Sequence, residues 1–366
     1  MPQLLVKKKL NKRSEIPATL PQEKGIVDAV PQGHIFWGEL VKDIPLPSPP
    51  LDKWYRDEKG FYYWGGALDV ITGRSSANSA SLQWWGRALQ LGAVQDLTLP
   101  LISPSNPVTV AVLDSGLSNI NNIDASFIIT GKKNFAENND NIIDTKSGHG
   151  TLCTSIIAGN TEMFNGINAK VNVFVGKIIS KADCIAKAIN FIADNNDTLK
   201  IDIISYSGGV SKEQATPELE QAIRNAIQKS IIIVCAVGNV IQNSVGFFPA
   251  MYPDVISIGA LNEKNEFSKI LNPSTNKIDF CTPGENVKAI NVLSCEKLDK
   301  GTSQSCALMS GLLSLVIAKA KSRGQKWNND DAKSFLKKSS QEILSPNSLK
   351  MQRIDPDKLL KNLKNI

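Results

Sequence analysis

The sequence predicts an α/β fold with a mostly parallel central sheet covered on both faces, preceded by a small aromatic-rich N-terminal extension. Two observations carry this expectation. From about residue 85 onward, short β-branched runs alternate with stretches of helical spacing. Such alternation builds βαβ units whose functional groups gather at the carboxyl ends of the strands. The first 85 residues differ in composition, with five of the six tryptophans and three of the five tyrosines. The expected organisation is an extension over 1–83 and one large domain over 84–366. At 366 residues the chain can bury a sizeable core without a covalent staple.

Within the extension, Ile44-Pro45-Leu46-Pro47-Ser48-Pro49-Pro50 reads as a polyproline connector. It leads into two aromatic runs around a charged, Gly-ended turn, Lys53 to Trp64, which predicts a β-hairpin. In the large domain, strands are expected over 108–113, 171–179, 201–205, 231–236 and 255–260. Helices are expected over 151–158, 182–193, 217–229 and 302–321. Pro217 falls near the first turn of its helix, where a missing N–H is harmless.

Composition excludes several classes. With 42% hydrophobic and 21% charged residues the chain is ordinary globular material. The net charge of +6 comes from 41 basic against 35 acidic residues spread along the chain, so no nucleic-acid role is expected. The basic runs at the two ends read as solvated tails. No uninterrupted apolar run reaches membrane-spanning length, and the first 25 residues lack the apolar core of a secretory signal. A cytoplasmic location without membrane contact is the expectation. Six cysteines (Cys153, Cys184, Cys235, Cys281, Cys295 and Cys306) show no CxxC spacing and read as free, buried thiols in a reducing compartment.

Only two histidines are present, His34 and His149, which limits any chemistry that needs an imidazole. His149 lies in Ser147-Gly148-His149-Gly150-Thr151, where glycines on both sides leave the ring uncrowded at a helix start. Asp114 ends a strand and is followed by Ser115-Gly116, where a carboxylate can orient a histidine Nδ1–H. Ser303, in Gly301-Thr302-Ser303-Gln304-Ser305, precedes an apolar helix whose N-terminal N–H groups favour a developing oxyanion. Asn239, in Ala236-Val237-Gly238-Asn239, ends another strand and offers a side-chain amide donor. Taken singly, these read as a structural histidine, two turns and a helix cap. Their conjunction is what points to chemistry.

At these four motifs the chain resembles the subtilisin-like serine protease family (subtilases, peptidase S8), from about Trp84 to about Leu360. The order Asp, His, Ser is that of the family. Further matches run through Gly166 to Lys170, Ile201 to Gly209, Phe248-Pro249-Ala250, Pro253 to Ala260, Phe267-Ser268 and Pro283-Gly284. The resemblance implies a subtilisin-like three-layer fold and a serine endopeptidase. In it Asp114, His149 and Ser303 form the triad, Asn239 serves the oxyanion hole, and Ser205, Tyr206, Ser207, Gly208 and Gly209 pair with an extended peptide or unfolded protein substrate. No metal is required. Ca2+ is common in the family but cannot be assigned to residues here, and Asp140 and Asp144 read as solvated loop charges.

The chain departs from the family at Gln304, Ser305 and Ala307, where Met, Ala and Pro are usual, which predicts a more polar mouth to the site. The extension does not look like the family's cleavable folding chaperone. An inhibitory strap that regulates the cleft intramolecularly, a recognition module and a packed satellite all stay open for it. The alternative to an endopeptidase is a catalytically silent peptide-binding protein on the same scaffold. A non-protease serine hydrolase is disfavoured because Gly301 to Ser305 forms no Gly-x-Ser-x-Gly elbow.

Overall fold

A computed structural model describes residues 83–118, 127–144, 147–160, 164–239, 247–271, 277–290, 296–345 and 350–366, together with eight strands and Phe61 in the first 82 residues. The chain divides into two compact units, Met1–Ala77 and Asn78–Ile366. The first unit holds a three-stranded and a five-stranded antiparallel sheet. The predicted hairpin is one of its elements: Trp54–Arg56 pairs antiparallel with Tyr62–Trp64, Trp54 opposite Trp64. Trp54 and Tyr63 are buried. The proline-rich connector, His34 and Cys295 lie outside the described residues.

The second unit is organised by strands β1 (Thr109–Asp114), β2 (Leu117–Ser118), β3 (Ile128–Asn134), β4 (Ile143–Asp144), β5 (Asn172–Lys177), β6 (Ile203–Tyr206), β7 (Ile232–Ala236), β8 (Ile256–Leu261), β9 (Phe280–Pro283), β10 (Ser340–Leu344) and β11 (Lys350–Ile354). Its principal helices are α1 (His149–Ala158), α2 (Ala182–Asp194), α3 (Pro217–Gln228) and α4 (Thr302–Ser322). Nine strands form one sheet in the order β3-β5-β1-β6-β7-β8-β9-β11-β10. Every neighbouring pair is parallel except the terminal β10–β11 hairpin.

The inner strands β1 and β5 to β9 are buried on both faces, which is why they are almost uniformly apolar, whereas β3, β10 and β11 toward the two edges carry exposed and polar residues. Successive residues of β1 alternate between the faces. Val110 and Val112 join the core built with α1 and α4, and Ala111 and Leu113 join the core built with α2 and α3. Helix α3 begins as the sequence predicts, with Pro217 in the first turn and the Thr216 hydroxyl accepting from Leu219 N–H at 3.3 Å. Helix α4 is long and apolar enough to cross a membrane by length and composition, but 89% of its apolar window is buried inside the protein. It is the central core helix, within one residue of the span the sequence predicts. Cys153, Cys184, Cys235, Cys281 and Cys306 are free and buried, as expected.

The strand order positions the site. From β1 the chain moves outward to β3 and β5 on one side, then crosses to β6, β7 and β8 on the other. Such a reversal opens a crevice at the carboxyl ends of the strands. Asp114 is the last residue of β1, at that crevice.

Candidate active site

Asp114 is 8% exposed, and its carboxylate faces His149, whose Nδ1 lies 2.8 Å and 3.0 Å from the two oxygens. Two glycines make the approach geometrically feasible. Gly116 sits at φ +101°, and a side chain there would collide with the Ile142 carbonyl. A methyl group on Gly150 would strike the Gly116 carbonyl and come within 3.2 Å of Asp114 Cβ, so only glycine lets the first turn of α1 rest on the end of β1. His149 is the first residue of α1, following Gly148 in the left-handed region at φ +65°.

Asp144 completes this corner, and the sequence misjudges it. Expected as a solvated loop charge, it is 6% exposed. Its carboxylate accepts from Ser115 Oγ, Ser147 Oγ and Gly148 N–H, each at 2.7 Å, and from Ser147 N–H at 3.0 Å. Ser115 Oγ in turn accepts from Gly150 N–H at 3.0 Å. A single buried carboxylate therefore ties the Asp114–Gly116 turn to the His149 turn. Asp140, by contrast, is exposed as expected. Charged acceptors in such networks contribute about 1.5–3 kcal/mol per bond, and misplacement of a reacting group by about 1 Å costs roughly 10²-fold in rate. Asp144→Ala is accordingly expected to lower kcat by roughly 10²-fold with little change in KM, and steady-state kinetics on a peptide substrate reads this directly.

The His149 pKa is pushed up to about 12, by negative charge at Cys153 first and by the Asp114 carboxylate second, with hydrogen bonds from both adding and burial opposing. Burial also raises the Cys153 thiol above its ordinary value. Near neutral pH that thiol is uncharged, so the carboxylate is the group that holds the imidazolium there. Asp114, His149 and Cys153 each place one ligand atom within 4.8 Å of the others. Asp114 and His149 are already paired through Nδ1, so a cation taking that nitrogen would displace the proton that the pair shares.

Ser303 is the second residue of α4 and is joined to the end of β6 by a reciprocal pair of bonds. Its hydroxyl donates to the Ser207 carbonyl at 3.0 Å, and the Ser207 hydroxyl donates to the Ser303 carbonyl at 3.1 Å. Cys153 Sγ lies 3.8 Å from His149 Nδ1. In this structure the Ser303 hydroxyl is turned to Ser207, and hydrogen bonds of this kind commonly tighten only when substrate is bound.

Asn239 lies at the same helix start. Its Oδ1 accepts from Thr302 N–H at 3.0 Å and from the Thr302 hydroxyl at 3.3 Å, which fixes the amide so that Nδ2 is the end left to donate. Of the expected substrate segment, Ser205 is inside the sheet, paired with β1 and β7, and its hydroxyl accepts from Ser310. The stretch that emerges from the sheet starts at the end of β6, Tyr206, and runs through Ser207 and Gly208 to Gly209.

Gln304 and Ser305 do not make the mouth more polar, because both point inward, at 2% and 0% exposure. Ser305 donates to the carbonyls of Thr282 and Pro283 at 3.2 Å and 3.1 Å. Gln304 Oε1 is buried without a partner. A buried acceptor left unsatisfied costs about 1–3 kcal/mol. Gln304→Met, close in volume and apolar, is expected to raise unfolding stability by about that amount, measurable as an increase in Tm.

The architecture and the Asp114–His149 pairing together place the protein among the serine peptidases built on a parallel α/β sheet. The chain belongs to the Subtilase family, which it matches over residues 105–357. It is 30% identical over 226 residues to the major intracellular serine protease of Bacillus subtilis (strain 168), covering 57% of this chain and 68% of that protein. An intracellular serine protease of Paenibacillus polymyxa is 30% identical over 225 residues, covering 57% of this chain and 66% of the relative. The chain thus spans about two thirds of the length of these relatives. Among solved structures, the A subunit of the AB5 toxin from E. coli superposes with a TM-score of 0.65 at 22% identity, over 77% of this chain and 99% of that one. That last likeness is one of fold.

Proposed function

We propose that this subtilisin-like serine endopeptidase cuts extended or unfolded protein segments, with Asp114, His149 and Ser303 as its triad. The observation that carries the proposal is the Asp114–His149 hydrogen bond at the carboxyl end of β1, facing the cleft into which α4 delivers Ser303 beside Asn239.

Each step follows from the groups present. A peptide laid along Tyr206 to Gly209 adds a strand through main-chain hydrogen bonds, which requires it to be extended. His149 Nε2 removes the Ser303 proton as Oγ attacks the carbonyl carbon, and Asp114 holds Nδ1–H so that Nε2 is the basic nitrogen. Negative charge on the carbonyl oxygen is met by Asn239 Nδ2 and the Ser303 N–H at the start of α4. Collapse of the tetrahedral intermediate passes the proton from His149 to the leaving amine. Water then enters, deprotonated by the same imidazole, and releases the acyl group from Ser303.

Treatment with a fluorophosphonate, followed by tandem mass spectrometry, tests the assignment. The adduct is expected on Ser303, and an adduct on any other residue overturns it. A cytoplasmic location forms part of the same proposal, supported by five buried free thiols and by relatives named as intracellular proteases.

A further inference from the structure

Phe247 occupies the crevice between the two segments that flank Ser303. One edge of its ring faces Gly209: a methyl group built there would collide with Cδ1 and lie 2.9 Å from both Cε1 and Cγ. The opposite edge faces Gly238, where a methyl group would lie 2.8 Å from Cδ2 and 3.0 Å from Cγ. The ring is therefore wedged edgewise, touching the end of the peptide-binding stretch on one side and the neighbour of Asn239 on the other. Its backbone is pinned there. Val210 N–H donates to the Phe248 carbonyl and Phe248 N–H to the Val210 carbonyl, both at 2.9 Å, and Met251 N–H donates to the Phe247 carbonyl at 3.0 Å.

The position bears on which substrates fit, given the catalytic reading above, on which this inference rests. The residue that supplies the scissile carbonyl must bring its carbon to Ser303 Oγ and its oxygen to Asn239 Nδ2, with its main chain along Ser207 to Gly209. Side chains stand off a strand perpendicular to its hydrogen bonds. That residue's side chain is then directed into the gap between Ser207–Gly209 and Gly238–Asn239, the gap that Phe247 fills. We infer that Phe247 is a specificity-determining residue, restricting the position on the acyl side of the cut to glycine, alanine and side chains of similar size. The glycines at 209 and 238 are the complement of the ring, since neither tolerates a side chain while it is present.

Four fluorogenic peptides that differ only in the residue supplying the scissile carbonyl (Gly, Ala, Leu or Phe) test this on the full chain. One misfitting methylene changes kcat/KM by about 10–200-fold, so the Ala peptide is expected to exceed the Phe peptide by roughly 100-fold or more. In Phe247→Ala that ratio is expected to fall by roughly 100-fold, and in Phe247→Leu by an intermediate factor, each in protein that still takes the fluorophosphonate. Mass spectrometry of the fragments that unmutated protein makes from an unfolded substrate gives the same answer without a variant: the new C-termini are expected to be Gly, Ala or Ser. New C-termini dominated by Leu, Phe or Tyr, or a ratio unchanged in both variants, overturn the inference and leave the peptidase reading standing. Absence of cleavage of every peptide and of the unfolded substrate overturns the peptidase reading, and this inference with it.

Discussion

Ser303→Ala is expected to lower kcat by roughly 10⁶-fold, a magnitude borrowed from subtilisin itself. The effect is this large because, in the proposed mechanism, this hydroxyl forms the acyl intermediate and His149 and Asp114 act through it as a unit. What remains is the stabilisation given by Asn239 and by binding alone, roughly 10³–10⁴ over the reaction in water. Little change in KM is expected, since the Ser303 hydroxyl is bonded to the Ser207 carbonyl in the resting site and takes no part in holding the peptide strand. Peptide hydrolysis by the purified variant, at enzyme concentrations high enough to see the residue of activity, checks both numbers. A variant that kept most of its kcat would show that the nucleophile is a different group.

Asp114→Asn is expected to cost roughly 10⁴-fold in kcat and to move the pH profile. An amide at this position donates to Nδ1 instead of accepting from it, which places the imidazole proton on Nε2 and removes the lone pair that must take the serine proton. The pH dependence follows from the sign of the shift. His149 must be neutral to act as a base, and its pKa is raised by charge at Cys153 and by the Asp114 carboxylate; near neutral pH the buried Cys153 thiol is uncharged, which leaves the carboxylate as the acting cause. The unmutated enzyme should therefore gain kcat/KM with rising pH along a limb displaced to the alkaline side of an ordinary imidazole. In Asp114→Asn the limb should fall back toward the ordinary value. The same shift links pH to folding. The pair stabilises the native state fully below the unfolded histidine pKa of about 6.5, and this contribution is lost as pH rises through the raised folded value. Kinetics across pH on the two proteins decides the matter: coincident limbs would mean that Asp114 does not set the state of His149.

Much of the fold was legible because burial writes a local pattern. The apolar runs of β1, β5 and β7 stand out because a parallel sheet covered on both faces leaves no polar positions, and Pro217 marks the start of α3 because only the first turn accepts it. Asp114, His149 and Asn239 could be singled out for a related reason: each ends or shortly follows a strand or opens a helix, where glycine neighbours and chain reversals leave a signature in sequence. Asp144 carries no such signature. Among the Asn and Asp residues of 137–144 it reads like Asp140, and only its donors separate the buried acid from the exposed one.

By itself, then, the sequence determined the order of the elements, which rests on period and turn chemistry, and it carried the resemblance that pointed to the family and to the candidate reacting groups. The tertiary structure alone decided that Asp144 lies inside, that Gln304 points into the core with an unpartnered oxygen, and that Phe247 plugs the crevice beside Gly209 and Gly238. Among the contacts involved, Ser115 to Asp144 and Gly209 to Phe247 join residues 29 and 38 positions apart. No local preference encodes them: each is the outcome of packing, settled once the sheet and its helices have closed on one another.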